Sequence, residues 1–200
     1  MRERAREIEF DVDAYTARLI GRENVSKLEG AVLEIVKNAY DADASVCCMY
    51  YSNTEDRVYI LDNGCGMKEE VLRTHWMTIG NSSKKNSYIT KSGRVQTGAK
   101  GIGRFALDRM SDQCDMLTIS EEGGIEWIVD WRDFDGNKRI SEVKARVYDT
   151  DVRLLEHVGI RSWRNQIVAT EIEKCDFSGT GTAFLLDHLH DNWDERTMNR

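Results

Sequence analysis

Apolar residues recur at helical spacing early in the chain. Leu28, Ala31, Val32, Ile35, Val36 and Ala39 stand three or four apart, which predicts an amphipathic helix over residues 24–40. Leu28, Val32 and Val36 are expected to anchor it in the core. Strand-like runs follow at residues 45–51, 57–61, 116–120, 125–131, 143–148, 167–172 and 182–186, and further helices are expected over 68–77 and 104–111. Strands grouped after helices, without regular β-α alternation, predict the α+β class: a sandwich with a mixed, mostly antiparallel sheet.

A length of 200 residues fits one domain, and 40% hydrophobic with 32% charged residues excludes a low-complexity disordered chain. No apolar run approaches the roughly 18 residues of a membrane span, and no signal-peptide core follows the charged start, so a soluble, cytoplasmic chain is expected. The five cysteines show no C-x-x-C metal spacing and read as reduced, mostly buried thiols. A net charge of -7 argues against nonspecific nucleic-acid binding over the whole surface. The charge is uneven, however. Between Glu70 and Asp108 there is no carboxylate, while Arg73, Lys84, Lys85, Lys91, Arg94, Lys100 and Arg104 fall there. That stretch has been kept clear for an anion.

Three groups of residues carry chemistry. Glu34, Asn38 and Asp41 share one face of the early helix, where a carboxylate can orient or deprotonate a water and an amide oxygen can complete the shell of Mg²⁺. Asp62-Asn63-Gly64-Cys65-Gly66-Met67 follows an apolar strand. An aspartate there can accept from an exocyclic amine, while glycines let a flat ring approach the backbone. Gly98-Ala99-Lys100-Gly101-Ile102-Gly103 opens onto a helix and can offer backbone N–H groups to phosphate. Gly101-Ile102-Gly103-Arg104-Phe105-Ala106 also satisfies the dinucleotide-binding spacing, but no buried strand precedes it, and no P-loop motif occurs.

In this order the motifs resemble the GHKL ATPases, the family of the DNA gyrase ATPase, the ATP-driven heat-shock chaperone, MutL and the microrchidia proteins. Glu34 to Ala42 looks like the family's N box, Asp62-x-Gly64-x-Gly66-Met67 like its adenine motif and Gly98-x-x-Gly101-x-Gly103 like its phosphate-lid motif. Thr78 to Lys84 is similar to the segment that opens the lid, and Gly179-Thr180-Gly181-Thr182 to the final motif. The resemblance implies the Bergerat fold, a two-layer sandwich with helices over one face of the sheet. It implies Glu34 as general base, Asn38 as Mg²⁺ ligand, Asp62 as acceptor for the adenine amine and Asp41 on the sugar–adenine side. Gly64, Gly66 and Met67 would lie against the ring, and Thr182 would act through water. Lys100, Gly101, Ile102 and Gly103 would wrap the phosphates, with Lys84 beside them, and Asn81, Ser82 and Gly98 would belong to the same nucleotide site. Sensor histidine kinases of this fold characteristically carry Asn where Glu34 stands. No helical hairpin with a phosphoacceptor histidine occurs either, so His75, His157, His188 and His190 read as surface or packing residues.

The expected function is Mg²⁺-dependent hydrolysis of ATP to ADP and phosphate. The alternatives are a nonhydrolysing ATP sensor that recruits a partner, or the ATPase part of a DNA-transaction or chaperone machine. Residues 1–190 are expected to form the ATP-binding domain, with an N-terminal arm or helix over 1–22, an ATP lid over 81–104 and the start of a following segment over 191–200. Gyrase-like and MutL-like members take a lysine from a following domain, and nothing after Thr182 supplies one, so a downstream domain of the same chain is expected. A nucleotide-dependent homodimer through the arm and lid is the expected assembly; nucleic-acid binding stays open.

Overall fold

The computed structural model describes residues 11–25, 27–80, 89–97 and 103–193. Six strands form one sheet in the order β1-β2-β6-β3-β4-β5, and every pairing among them is antiparallel. They are β1 (Cys47–Ser52), β2 (Arg57–Asp62), β3 (Ser111–Ser120), β4 (Gly123–Asp130), β5 (Arg146–Thr150) and β6 (Gly181–Leu189). The helices are α1 (Ala14–Glu23), α2 (Leu28–Asp41), α3 (Glu69–Val71), which runs into a π-helical turn at Leu72–Trp76, α4 (Phe105–Met110), α5 (Leu154–His157) and α6 (Gln166–Glu173). The α+β sandwich read from the sequence is thus the observed class.

Alternation along the strands sorts side chains to two faces. Val58, Ile60, Met116, Trp127, Phe184 and Leu186 point to one face, where α1, α2 and α4 cover them through Ala14, Leu28, Ala31, Ile35, Phe105 and Met110. Tyr59, Leu61, Leu117 and Ala183 point to the other. The single helical layer that the resemblance implied is incomplete, because this second face has its own cap. Leu154, Val158, Ile160, Trp163, Ala169, Ile172 and Phe177 close over it. A sheet whose alternate positions are both apolar needs cover on both sides.

Part of that cap was expected as a strand. Residues 167–172 instead form α6, whose N-terminus is capped by the Asn165 side chain accepting from Val168 N at 3.2 Å. Ala169 and Ile172 are buried while Ile167 is 78% exposed, a one-sided pattern that a short β-branched run conceals. In the run at 143–148, residues 143–145 carry no regular structure and follow a 3₁₀ turn at Ile140–Glu142, while the mostly exposed edge strand β5 starts only at Arg146. In α2 the buried stripe is Leu28, Ala31, Ile35 and Ala39, with Val32 packed at its margin. Val36 is exposed rather than an anchor, since steps of about 100° per residue carry it past the flank of that stripe. Of the five cysteines, Cys114 alone is buried, and all five are unpaired. No described helix is long and apolar enough to cross a membrane.

A buried ion pair fixes α1 to α4. Arg18 Nε and Nη2 donate to Asp108 at 2.8–3.1 Å, with both side chains at most 7% exposed, and Arg18 Nη1 reaches Asp135 at 2.7 Å. Burial raises Asp108 above the usual carboxylate range, and Arg18 opposes that rise.

Candidate functional site

The β2–β6–β3 register sets three polar residues in one row: Asp62 opposite Thr182, and Thr182 opposite Thr118. They lie two positions along from Ile60, Phe184 and Met116, so they share the face covered by α2. All three are buried. Thr118 and Thr182 hydroxyls stand 3.3 Å apart, and Thr118 Oγ1 also accepts from Met67 N at 2.8 Å. The Asp62 carboxylate accepts from Gly64 N at 2.9 Å and from the Thr182 backbone N–H. Burial, only partly offset by those two amides, pushes its carboxyl up to about 6.

The turn after β2 is held against the end of α2. Cys65 N donates to Ala42 O at 2.8 Å, and a Cβ on Gly64 would stand 2.7 Å from that same oxygen. Gly66 has φ +63°, and a Cβ there would meet Ile119 O at 2.0 Å. This close approach brings Asp62, Gly66 and Met67 to the wall of a cavity of about 250 Å³, whose opposite wall is Asn38, Asp41 and Ala42. Gly103 closes one end. Its Cβ position would be 3.3 Å from Asn38 Nδ2 and 3.8 Å from Glu34 Oε2.

Larger cavities of about 480 and 830 Å³ lie elsewhere, the first among Trp127, Trp131, Ile140 and Val143 and the second between α5 and α6. Neither gathers the motif residues. The smaller cavity combines a buried acceptor, an amide at a helix edge and a glycine-flanked helix start, and that chemistry rather than volume marks it.

The profile of one family, described as histidine kinase-, DNA gyrase B- and HSP90-like ATPase, matches residues 25–159, about two thirds of the chain. The chain belongs to this family. HgiDII of Herpetosiphon aurantiacus, provisionally named a type II restriction enzyme, is 40% identical over 75 residues, covering 38% of the chain and 12% of that protein. The DNA mismatch repair protein MutL of Listeria welshimeri is 25% identical over 120 residues, covering 56% of the chain and 20% of MutL. The chain therefore spans a fifth or less of the length of these relatives. Membership in this ATPase family carries ATP binding and an ATPase-type function.

Within the ATPase fold, Asn38, Asp41, Asp62, Gly66, Met67, Gly103 and Thr182 meet at one cavity. Gly64 supports it from behind. Glu34 lies at its edge, where Oε1 accepts from Lys37 Nζ at 2.9 Å. Asp41 Oδ1 accepts from Thr97 N at 2.8 Å, which ties the helix end to the segment at 89–97. Asn81, Ser82, Lys84, Gly98, Lys100, Gly101 and Ile102 lie outside the described residues.

Sequence reasoning missed Trp76, Gln96 and Phe184 in the cavity wall and Asp43 beside it. Asp43 accepts from Ser92 N at 3.1 Å and from the Thr90 and Ser92 hydroxyls, which hold its carboxyl below the usual range. Arg94 Nη1 donates to Ala44 O at 2.7 Å, and its guanidinium lies 5.0 Å from the Tyr40 ring centre. The acid in Asp41-Ala42-Asp43 and the base in the carboxylate-free stretch were the available sequence cues. Arg104, also in that stretch, is buried and structural: Nη2 donates to His75 O and Thr78 O at 2.9 and 2.8 Å. Burial pulls it down to about 10, so it stays protonated at neutral pH.

Proposed function

We propose that the chain binds ATP in the cavity between α2 and the Asp62 row and hydrolyses it to ADP and phosphate with Mg²⁺. The observation that supports this reading best is the buried Asp62 carboxylate, which has backbone partners on one side and faces the cavity. An exocyclic amine donating there replaces water with a charge-assisted bond. Gly66 and Met67 line the ring's place, and Thr182 completes the row behind it.

Asn38 and Gly103 lie together at the phosphate end, which suits a Mg²⁺ held mainly by phosphate and water with one amide oxygen. The ion, when bound there, would neutralise phosphate charge. Glu34, next to both, would orient the attacking water and take its proton. Asp41 would serve the sugar side once Thr97 yields its contact. The lid over 81–104 would close on the triphosphate, with the glycine-rich N–H groups and Lys84 and Lys100 as donors.

The Lys37 contact favours a second reading. A carboxylate oxygen held by a lysine is not free to align a water, so this state suits a nucleotide sensor that turns over slowly until a partner rearranges it. Single-turnover hydrolysis measured beside ATP affinity, with Mg²⁺ and with EDTA, separates the two. Mg²⁺-dependent release of phosphate at saturating enzyme supports the ATPase; tight binding without release supports the sensor.

Residues 1–190 would form one ATPase module. The names of the two relatives, one a restriction enzyme and one a mismatch repair protein, support DNA transactions as the larger context. Tyr15, Leu19 and Ile20, exposed on α1, suit a homodimer assembled through the N-terminal arm when nucleotide is bound. Turnover that rises with protein concentration is the expected sign of it.

A further inference from the structure

A second cluster lies on the opposite face of the sheet, where no motif falls. Asp115 is on β3 and Glu126 on β4; Glu126 pairs with Leu117, two residues from Asp115, so both carboxylates share the face capped by α5 and α6. His157 ends α5 directly above them. One donor atom from each of the three residues lies within 4.8 Å of the others.

The imidazole gives the independent observation. The His157 side chain is 8% exposed, and its Nε2 lies 3.4 Å from Asp115 Oδ1 without hydrogen-bond geometry. Both atoms are buried, and among the described residues neither has a hydrogen-bond partner. Nδ1 of the same ring is 3.9 Å from Glu126 Oε1. Buried polar atoms without partners are rare in folded chains and call for an occupant.

We propose that Asp115, Glu126 and His157 form a divalent transition-metal site of the zinc class, with one imidazole nitrogen, two carboxylate oxygens and a fourth position for water. Tetrahedral bonds of about 2.0–2.2 Å set donors about 3.3–3.6 Å apart; Asp115 Oδ1 already stands 3.4 Å from Nε2, and Glu126, now 3.9 Å from the other ring nitrogen, would turn toward Nε2 to complete the set. The carboxylates are 32% and 30% exposed, which leaves them free to turn inward and leaves the ion a path from solvent. A nitrogen donor with only two carboxylates disfavours Ca²⁺ and Mg²⁺, which take more oxygens. The ion would join β3, β4 and α5 on the face away from the nucleotide cavity, so the proposal stands apart from the ATP reading.

Chelator-stripped protein, reduced and free of nucleotide, is titrated with Zn²⁺ by calorimetry and with Co²⁺ by visible absorption. One ion per chain is expected, with a d–d band and no sulfur-to-metal charge-transfer band. His157→Ala and the near-isosteric Glu126→Gln should each weaken binding at least about 10-fold. Circular dichroism checks that each variant is folded. Absence of binding by the parent, a thiolate-type spectrum, or folded variants that bind as tightly as the parent would overturn the site.

Discussion

Asp62 stands directly across the β2–β6 ladder from Thr182 and accepts that residue's backbone N–H. The pairing makes an acidic residue part of the sheet and of the cavity at once. Its depth in the sheet raises its carboxyl, and its position at the strand end turns the charge toward the cavity. If Asp62 recognises the nucleotide as proposed, recognition and stability are opposed at this residue.

The first prediction follows from that opposition. The folded carboxyl, pushed up to about 6, lies above its ordinary 3.8, so its contribution to stability is whole below about pH 4 and is lost as pH rises through 6. Asp62→Asn keeps an acceptor for Gly64 N and removes the buried charge. At pH 8 the ligand-free variant should be more stable than the parent by up to about 2–3 kcal/mol in urea unfolding, and the gap should vanish by pH 4. ATP affinity should fall by about 1.5–3 kcal/mol. Unchanged ATP binding in calorimetry would remove Asp62 from recognition.

Glu34→Ala should leave ATP affinity nearly intact and slow hydrolysis by roughly 100-fold or more, the usual weight of a positioned base. Lys37→Met releases Glu34 from its 2.9 Å partner and should speed single-turnover hydrolysis. If Glu34→Ala hydrolyses ATP at the parental rate, the general base lies elsewhere.

The motif residues were legible because each is tied to its neighbours by backbone geometry: four- and three-residue spacing on α2, and glycines where the chain must approach Ala42 and Ile119. Long-range contributors were not. Trp76 and Phe184 reach the cavity from elements far apart in sequence, and nothing local in Thr90 or Ser92 points to Asp43. The α6 error has the same origin. Ile167, Val168 and Ile172 fit a strand by residue type, and only the buried side chosen by the sheet's second face decides for a helix.

Gly66→Ala tests the close approach. The left-handed φ costs about 1–3 kcal/mol for a residue with a Cβ, and the backbone oxygen of Ile119 at 2.0 Å cannot step aside as a side chain could. Gly80→Ala is the comparison, with φ +74° and open space around it. Denaturation should show Gly66→Ala losing at least about 2 kcal/mol more than Gly80→Ala; equal losses would mean that the 66–119 contact is loose.

Arg18 and Asp108 form the buried link between α1 and α4. Asp108→Leu alone leaves a guanidinium in the core with only Asp135 beside it and should cost about 3–5 kcal/mol. Arg18→Met with Asp108→Leu should recover most of that loss, because the pair's attraction and its desolvation nearly cancel. A double-mutant cycle in urea measures the coupling, and additive losses would contradict a desolvated pair.

Asp43 anchors the segment at 89–97 to the end of α2 through Thr90 and Ser92, while Asp41 holds Thr97. Few apolar side chains help: Ile89 and Val95 are 62% and 64% exposed. The carboxylate contacts therefore carry this segment, and Asp43→Ala should raise amide exchange at Ser92 and Arg94 toward open-chain rates. Because partners depress the folded Asp43 carboxyl, the anchor is present above the usual carboxylate range and is lost as pH falls below it. An ATP analogue that closes the lid should restore protection across 81–104 in the variant, and ADP should restore less, since it lacks the γ-phosphate that favours the closed state. Equal exchange with the analogue, with ADP and without nucleotide would show that this segment does not respond to the triphosphate.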